Sequence, residues 1–171
     1  MSHDQPAIEI RRAMPDDDAE PLTALLHRAY ARLGAMGLNF MAVDQSAEVT
    51  RQRMLAAECY LALLRGTIVG TVVFKPPART RGSPWLDRPD VAGLAQLAVD
   101  PAMQQCGLGA RLVDWAEARA AACGAREIAL DTAEPAEHLR AWYERQGYRV
   151  IEYAQWAHAN YRSVVMSKPL A

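Results

Sequence analysis

Residues 97–110, LAVDPAMQQCGLGA, set Gly107 and Gly109 where an apolar β-type run gives way to a helical pattern. A helix start carries N–H groups without intrahelical partners and the positive end of the macrodipole, and glycine lets the backbone approach a ligand with no Cβ in the way. That combination binds phosphate. The spacing Gln104-x-x-Gly107-x-Gly109 is neither the dinucleotide pattern G-x-G-x-x-G nor the P-loop G-x-x-x-x-G-K-[ST], so both nucleotide classes lose support. Cys106 shares the helix start. Its thiol would be a nucleophile or redox sensor if the helix lowered its pKa and filler otherwise, and no base stands near it in sequence. His138 reads as a solvated helix residue, because no metal-ligand spacing accompanies it. Cys59, Cys106 and Cys123 are odd in number and widely spaced, and His3, His27, His138 and His158 do not complete a ligand set. The sequence therefore predicts neither a disulfide framework nor a metal site.

The anion-binding turn needs a strand in front of it and a long helix behind it. Residues 94–99 read as that strand, Asp100-Pro101 breaks it, and the helix runs to about Cys123 with Leu108, Leu112, Trp115, Ala116 and Ala120 on its inner face. Upstream, residues 8–11 alternate as a strand. A helix capped from Asp16-Asp17-Asp18 follows, carrying Leu22, Leu25, Leu26, Ala29 and Leu33 on one face and ending at Gly34 and Gly37. Residues 35–43 are irregular but apolar, with Met36, Leu38, Phe40 and Met41, and so are expected to lie over something. Ser46 caps a second helix to about Ala57, with Glu48, Thr50, Arg51, Gln52 and Arg53 on its outer side. Residues 59–64 and 67–74, joined at Arg65-Gly66, form an antiparallel hairpin. In residues 75–90, Pro76, Pro77, Pro84 and Pro89 exclude helix interior and central strand, which leaves a long loop holding Trp85. Beyond the long helix come a strand at 127–130, a helix at 135–145 and a final hairpin from 148–156 and 161–167.

The chain of 171 residues has the length of one domain, and its 51% hydrophobic and 23% charged residues describe a globular protein, with neither a disordered composition nor a membrane-spanning run. A formal charge of −1 without a Lys/Arg block argues against a nucleic-acid partner. The opening MSHDQPAIEI has no basic start, apolar stretch or small-residue cleavage site, which makes the cytoplasm the expected compartment.

The glycine turn matches the Q/R-x-x-G-x-G/A signature of GNAT-type N-acetyltransferases, and residues 141–148, AWYERQGY, are similar to that family's second pattern, L-Y-E-K-x-G-F. The chain resembles this family over residues 1–171, taken as a single domain. The resemblance implies an α/β (α+β) fold, a central mixed, mostly antiparallel twisted sheet of about seven strands flanked by about four helices. It implies acetyl-CoA as acyl donor, with the pyrophosphate at Gln104, Gln105, Cys106, Gly107, Leu108, Gly109 and Ala110, and the pantetheine arm pairing with Leu97, Ala98 and Val99 like an added strand. Tyr143 matches the family's tyrosine, the general acid that protonates the departing thiolate; without the resemblance it reads as a core aromatic beside Trp142. The activity implied is direct transfer of acetyl to a primary amine, with no metal and no covalent enzyme intermediate.

Two departures stand out. Gln96 occupies the strand position where the family often carries a glutamate base, so the base is unassigned, with Glu58, Asp131 and Glu134 near strand ends as candidates beside a water chain. Ala136 and Glu137 replace the family's frequent asparagine early in the last helix. The acceptor cleft implied by the family would be walled by Met36, Leu38, Phe40, Trp85, Trp156 and Tyr161, with Gln96 at its base. Such walls suit a small amine with an apolar or aromatic body, and the same residues would equally serve as packing or as a homodimer contact. A catalytically silent acyl-CoA-binding module and a protein N-acetyltransferase are the competing readings.

Overall fold

The computed structural model describes residues 6–171; residues 1–5, with His3 and the start of the N-terminal stretch read above, lie outside the described residues. The chain runs β1 (Ile8–Arg12), α1 (Ala19–Ala35), α2 (Ala47–Ala56), β2 (Glu58–Leu64), β3 (Thr67–Lys75), β4 (Val91–Val99), α3 (Leu108–Ala122), β5 (Glu127–Ala133), α4 (Glu137–Arg145), β6 (Arg149–Ala154) and β7 (Ser163–Pro169). The strands form one sheet in the order β1-β2-β3-β4-β5-β7-β6, antiparallel except for the parallel pair β4–β5. The mixed, mostly antiparallel seven-stranded sheet with four helices is the class expected from the sequence. Among the described residues no helix is long and apolar enough to cross a membrane.

Local chemistry accounts for the element ends. Asp18 caps α1 by accepting from the Glu20 N–H at 3.0 Å, and Ser46 caps α2 by accepting from the Val49 N–H at 3.2 Å. Arg65 and Gly66 both take positive φ, 50° and 79°, as a two-residue hairpin turn of the I′ type demands. Apolar residues on both sides of β2 and β3 bury the sheet on two faces. Cys59, Leu61, Leu63 and Val73 meet Leu22, Leu25 and Leu26 of α1, whereas Tyr60, Ala62, Val72 and Phe74 meet Leu108, Leu112 and Ala116 of α3.

Four expectations are corrected. Strand β4 begins at Val91, three residues earlier than the strand read at 94–99, and β5 extends to Ala133 rather than ending at Leu130. On α3 the inward stripe is Leu108, Leu112, Val113, Ala116 and Ala120, which leaves Trp115 at its margin, 38% exposed and 5.7 Å from the Tyr60 ring. The polar residues of α2 do not all face outward: Thr50 is fully buried and accepts a hydrogen bond from the Thr23 hydroxyl at 2.7 Å, and Arg53 lies one turn beyond it on the same inward side.

Candidate active site

The parallel β4–β5 pairing covers only Val91–Gly93 against Glu127–Ala129, while β5 continues to pair with β7 up to Ala133. Beyond Gly93 the two strands separate. On its other side β4 carries a bulge: Ala95 opposes Val73 and Ala98 opposes Thr71, so Gln96 and Leu97 face the single residue Val72, and Gln96 is held at φ 51°. The second half of β4 therefore has no strand on its β5 side, and its free edge borders a cleft of about 1110 Å³. Tyr30 of α1 reaches into the same region, donating its hydroxyl to the Leu97 carbonyl at 3.0 Å.

At one end of the cleft stands the start of α3. Among the described residues, none of the N–H groups from Gln105 through Ala110 has a partner within the chain. Gln105 and Gly107 take left-handed conformations, φ 70° and 82°, the kind of backbone that gathers successive N–H groups into an anion-holding nest. A Cβ on Gly107 would meet no protein atom within 4 Å, because that side of the residue opens to the cleft. A Cβ on Gly109 would instead meet Trp142 at 3.3 Å, so this second glycine is needed for the close approach of α3 and α4. An anionic diphosphate fits the first feature, and an amide-bearing arm fits the free edge of β4.

Of the positions singled out from the sequence, residues 97–99, 104, 105, 107–110 and 143 line this one cleft, as do Phe40, Gln96, Trp156 and Tyr161. Cys106 does not: its side chain is exposed and its thiol donates to the Met103 carbonyl at 2.7 Å, which leaves only its amide in the turn. Trp85 packs with Leu86, Val91, Val165 and Trp156 beneath the Arg88 guanidinium, 4.1 Å from its ring centroid, outside the cleft. Met36 is exposed and Leu38 is buried against Leu33 and Ala136, so neither walls it. His138, read as solvated, is half-buried in the lining, where burial and then the charge of Arg32 lower its pKa.

Tyr143 is 8% exposed, its ring 5.0 Å from Trp142 and 5.8 Å from Tyr148, and its hydroxyl has no hydrogen-bond partner within the described residues. Burial pushes its pKa far above the usual phenol value, with smaller contributions from Tyr30 and Asp131. Burial likewise pushes Tyr30 and Tyr161 up to about 12. These phenols stay protonated at neutral pH and can act only as proton donors.

The three candidate carboxylates separate cleanly. Glu58 is gripped by Arg119 at 2.9 and 3.0 Å and by the Tyr60 hydroxyl at 2.7 Å, and Glu134 by Arg162 at 2.6 Å through both oxygens; neither lines the cleft. Asp131 does line it, held by one neutral donor, the Trp156 indole N–H at 2.9 Å. Reading β5 as ending at Leu130 concealed this placement. Alternation along the extended strand puts Asp131 on the face of Ala129, the sheet face on which α1 packs against Val73 of β3 and Ala98 of β4.

Two further lining groups, Arg53 and Lys75, escaped the sequence reading. Arg53 donates to Gln45 Oε1 at 2.9 Å, Gln45 donates to Gln96 Oε1 at 3.2 Å, and Lys75 extends from the end of β3. Burial lowers the pKa of both Arg53 and Lys75, and for Lys75 the nearby charge of Arg53 adds to the effect. The stripe Ser46, Thr50, Arg53 at helical spacing was the available signal, but polar residues on an inward face do not announce themselves by hydrophobicity.

Comparison with known proteins follows the same line. Residues 23–148 match the model of the acetyltransferase (GNAT) family. The S-(2-succino)cysteine N-acetyltransferase of Bacillus subtilis (strain 168) is 28% identical over 142 residues, covering 80% of this chain and 82% of that protein. Among solved structures, a GNAT family acetyltransferase from Elizabethkingia anophelis with acetyl-CoA bound superposes with a TM-score of 0.68 at 18% identity, over 98% of this chain and 99% of that one. The PaiA N-acetyltransferase of Thermoplasma acidophilum in complex with coenzyme A gives 0.73 at 17% identity, over 95% and 99%.

Proposed function

Because this chain belongs to the acetyltransferase (GNAT) family, we propose that it moves acetyl from acetyl-CoA to the primary amine of a small molecule by direct attack within the β4–β5 cleft, as a single domain over residues 1–171. That it is an acetyl-CoA-dependent acyltransferase follows from the family and from its N-acetyltransferase relative. The observation that carries the reading is the row of unpartnered N–H groups at the start of α3, set beside a free strand edge and a buried tyrosine in one cleft.

Acetyl-CoA supplies the thioester. The residues of the chain bind, orient and handle protons. Amides of residues 105–110 take the diphosphate, with the positive end of the α3 dipole behind them, and the edge at Leu97, Ala98 and Val99 pairs with the arm so that the amine meets the acyl carbon at a set angle. A lysine-like amine is neutral in only about one part in a thousand at pH 7, which amounts to roughly 4 kcal/mol of barrier. Asp131 is placed to accept a hydrogen bond from the ammonium and to start the proton on its way to solvent, the task that Gln96 cannot perform. Tyr143 gives its phenolic proton to the sulfur as the carbon–sulfur bond breaks and recovers one from solvent.

The stack of Phe40 on Tyr161, ring centroids 5.0 Å apart, together with Trp156 offers an apolar wall to the body of the acceptor. The B. subtilis relative, whose name gives a cysteine derivative as its substrate, supports a small acceptor over a protein. Three free cysteines suit a reducing compartment, and we place the protein in the cytoplasm on that basis. Release of free thiol from acetyl-CoA across an amine panel tests the activity. Turnover with small amines is expected, whereas binding of acetyl-CoA without turnover on any amine, or transfer confined to proteins, would refute it.

A further inference from the structure

The acceptor end of the cleft has an uneven charge inventory. Register places Lys75, Gly93 and Ala129 side by side on β3, β4 and β5, so Lys75 and Ala129 stand about 10 Å apart, with the side chain of Thr80 packed over the glycine between them. Asp131 is the next residue on the Ala129 face, Ala95 the next on the Gly93 face, and Arg53 of α2 lies over the same face. Ala95 and Ala129 thus form the floor of a bowl, with Thr80 over Gly93 beside it and two cations, Arg53 and Lys75, and the carboxylate of Asp131 in the lining.

Several half-buried cations of this protein are paired, although among the described residues Arg51 and Arg140 are not. Arg119 holds Glu58 at 2.9 Å, Arg88 holds Asp90 at 2.8 Å and Lys168 holds Glu117 at 3.0 Å. Arg53 and Lys75 are also half-buried, yet among the described residues neither has a carboxylate within ion-pairing distance. Arg53 donates to one neutral amide oxygen, and among the described residues the Lys75 ammonium makes no hydrogen bond. A third donor joins them: Gln96 Nε2, buried and without a partner, on a residue that is 94% buried at the bulge of β4. An unpaired buried donor or charge is costly to maintain, and all three belong to residues that line one cleft. What they lack is an anion.

We propose that the acceptor carries a carboxylate beside its amine, an amino-acid-like zwitterion whose carboxylate is held by Arg53 and Lys75 and whose ammonium faces Asp131. This rests on the acetyl-transfer reading above and narrows its substrate class. Two cations against one carboxylate leave room for a second anionic group on the acceptor. Lys75 brings a point charge, and Arg53 brings the planar fork that matches a carboxylate. The aromatic wall of Phe40, Tyr161 and Trp156 is then left for the side chain.

The test is a set of matched acceptors: L-methionine, L-methioninamide and 3-(methylthio)propylamine, with the corresponding phenylalanine series, assayed by thiol release from acetyl-CoA. The carboxamides have less basic amines than the acids and so hold more neutral amine at a given pH, which means that a preference for the acids over the carboxamides cannot arise from amine titration; for the more basic alkylamines, rates are compared per neutral amine. The acids should exceed both analogues in kcat/KM by at least about 30-fold, mainly through KM, the scale of a charged hydrogen-bonded contact. Arg53→Gln and Lys75→Gln should each erase most of that preference while calorimetry shows acetyl-CoA binding unchanged, and Lys75→Arg should restore part of it. Equal use of the three forms, preference for an amide or amine, or no transfer to any acid while acetyl-CoA still binds would overturn the inference. Absence of acetyl-CoA binding would instead refute the parent reading.

Discussion

Replacing Tyr143 with phenylalanine removes one oxygen from a site whose packing is otherwise kept. The ring sits between Trp142 and Tyr148 at 5.0 and 5.8 Å and is 8% exposed, so phenylalanine fills the same space. No hydrogen bond among the described residues is lost with the hydroxyl. The missing donor matters only when negative charge gathers on the departing sulfur. A hydrogen bond to a charged group is worth about 1.5–3 kcal/mol, roughly 10- to 150-fold in rate, and complete proton transfer extends the range toward about 10⁴. Tyr143→Phe is therefore expected to lower single-turnover thiol release about 100-fold, with the Kd for acetyl-CoA changed by less than about twofold, because the thioester sulfur of the ground state is a poor acceptor. Burial holds the Tyr143 pKa above the ordinary phenol range, so the wild-type rate should show no falling limb from this group up to about pH 10. Measurement under single-turnover conditions keeps product release out of the rate. An unchanged rate would remove Tyr143 from the mechanism.

Asp131→Asn keeps the size of the side chain and an oxygen for the Trp156 indole, and should raise the KM of the amine by about 10- to 100-fold with acetyl-CoA affinity intact; steady-state kinetics on both substrates decide it. Gly107→Val puts a β-branched residue at φ 82° and a side chain where the diphosphate is expected, so calorimetry should show at least a 100-fold weaker Kd for acetyl-CoA, about 2.7 kcal/mol, in a protein that still folds; retained affinity would contradict the site. The bidentate Arg119 contact holds the Glu58 carboxyl below its ordinary pKa. Its stabilisation is thus complete above the ordinary glutamate value and is lost as pH falls through the folded one. Urea midpoints between pH 6 and 3 should fall more steeply for wild type than for Glu58→Gln, which at pH 7 should be less stable by about 1–3 kcal/mol; parallel curves would refute this.

The cofactor end of the site was legible in the sequence because its chemistry is local. A glycine at positive φ, a strand before it and a helix after it occupy contiguous residues, and the tyrosine follows on the next helix. The acceptor end is assembled across the sheet and was legible only in part: Phe40, Gln96, Trp156 and Tyr161 were expected there and line the cleft. Asp131 was named only as one of three carboxylates near strand ends, because polar Asp131 and Thr132 interrupt the apolar run that marked β5, and only pairing with β7 carries the strand on to Ala133. Arg53 was placed outside because α2 turns a polar stripe inward, where Thr23, Thr50 and Gln45 satisfy one another. Lys75 was read as the first residue of the proline-rich loop, but pairing with Gly93 of β4 carries β3 through it and sets it in the cleft lining. Trp85 was counted as a cleft residue for its size and its loop, and it packs instead with Leu86 and Val165. In each case the deciding fact was a neighbour distant in sequence.

The claim on which the account depends is that the start of α3 and the free edge of β4 together hold the acyl donor. Titrating ¹⁵N-labelled protein with coenzyme A and following the backbone amides tests it without any acceptor. Saturable shifts should concentrate in residues 105–110 and 97–99 and shrink in Gly107→Val. Shifts that leave those residues unmoved while binding occurs elsewhere would contradict it.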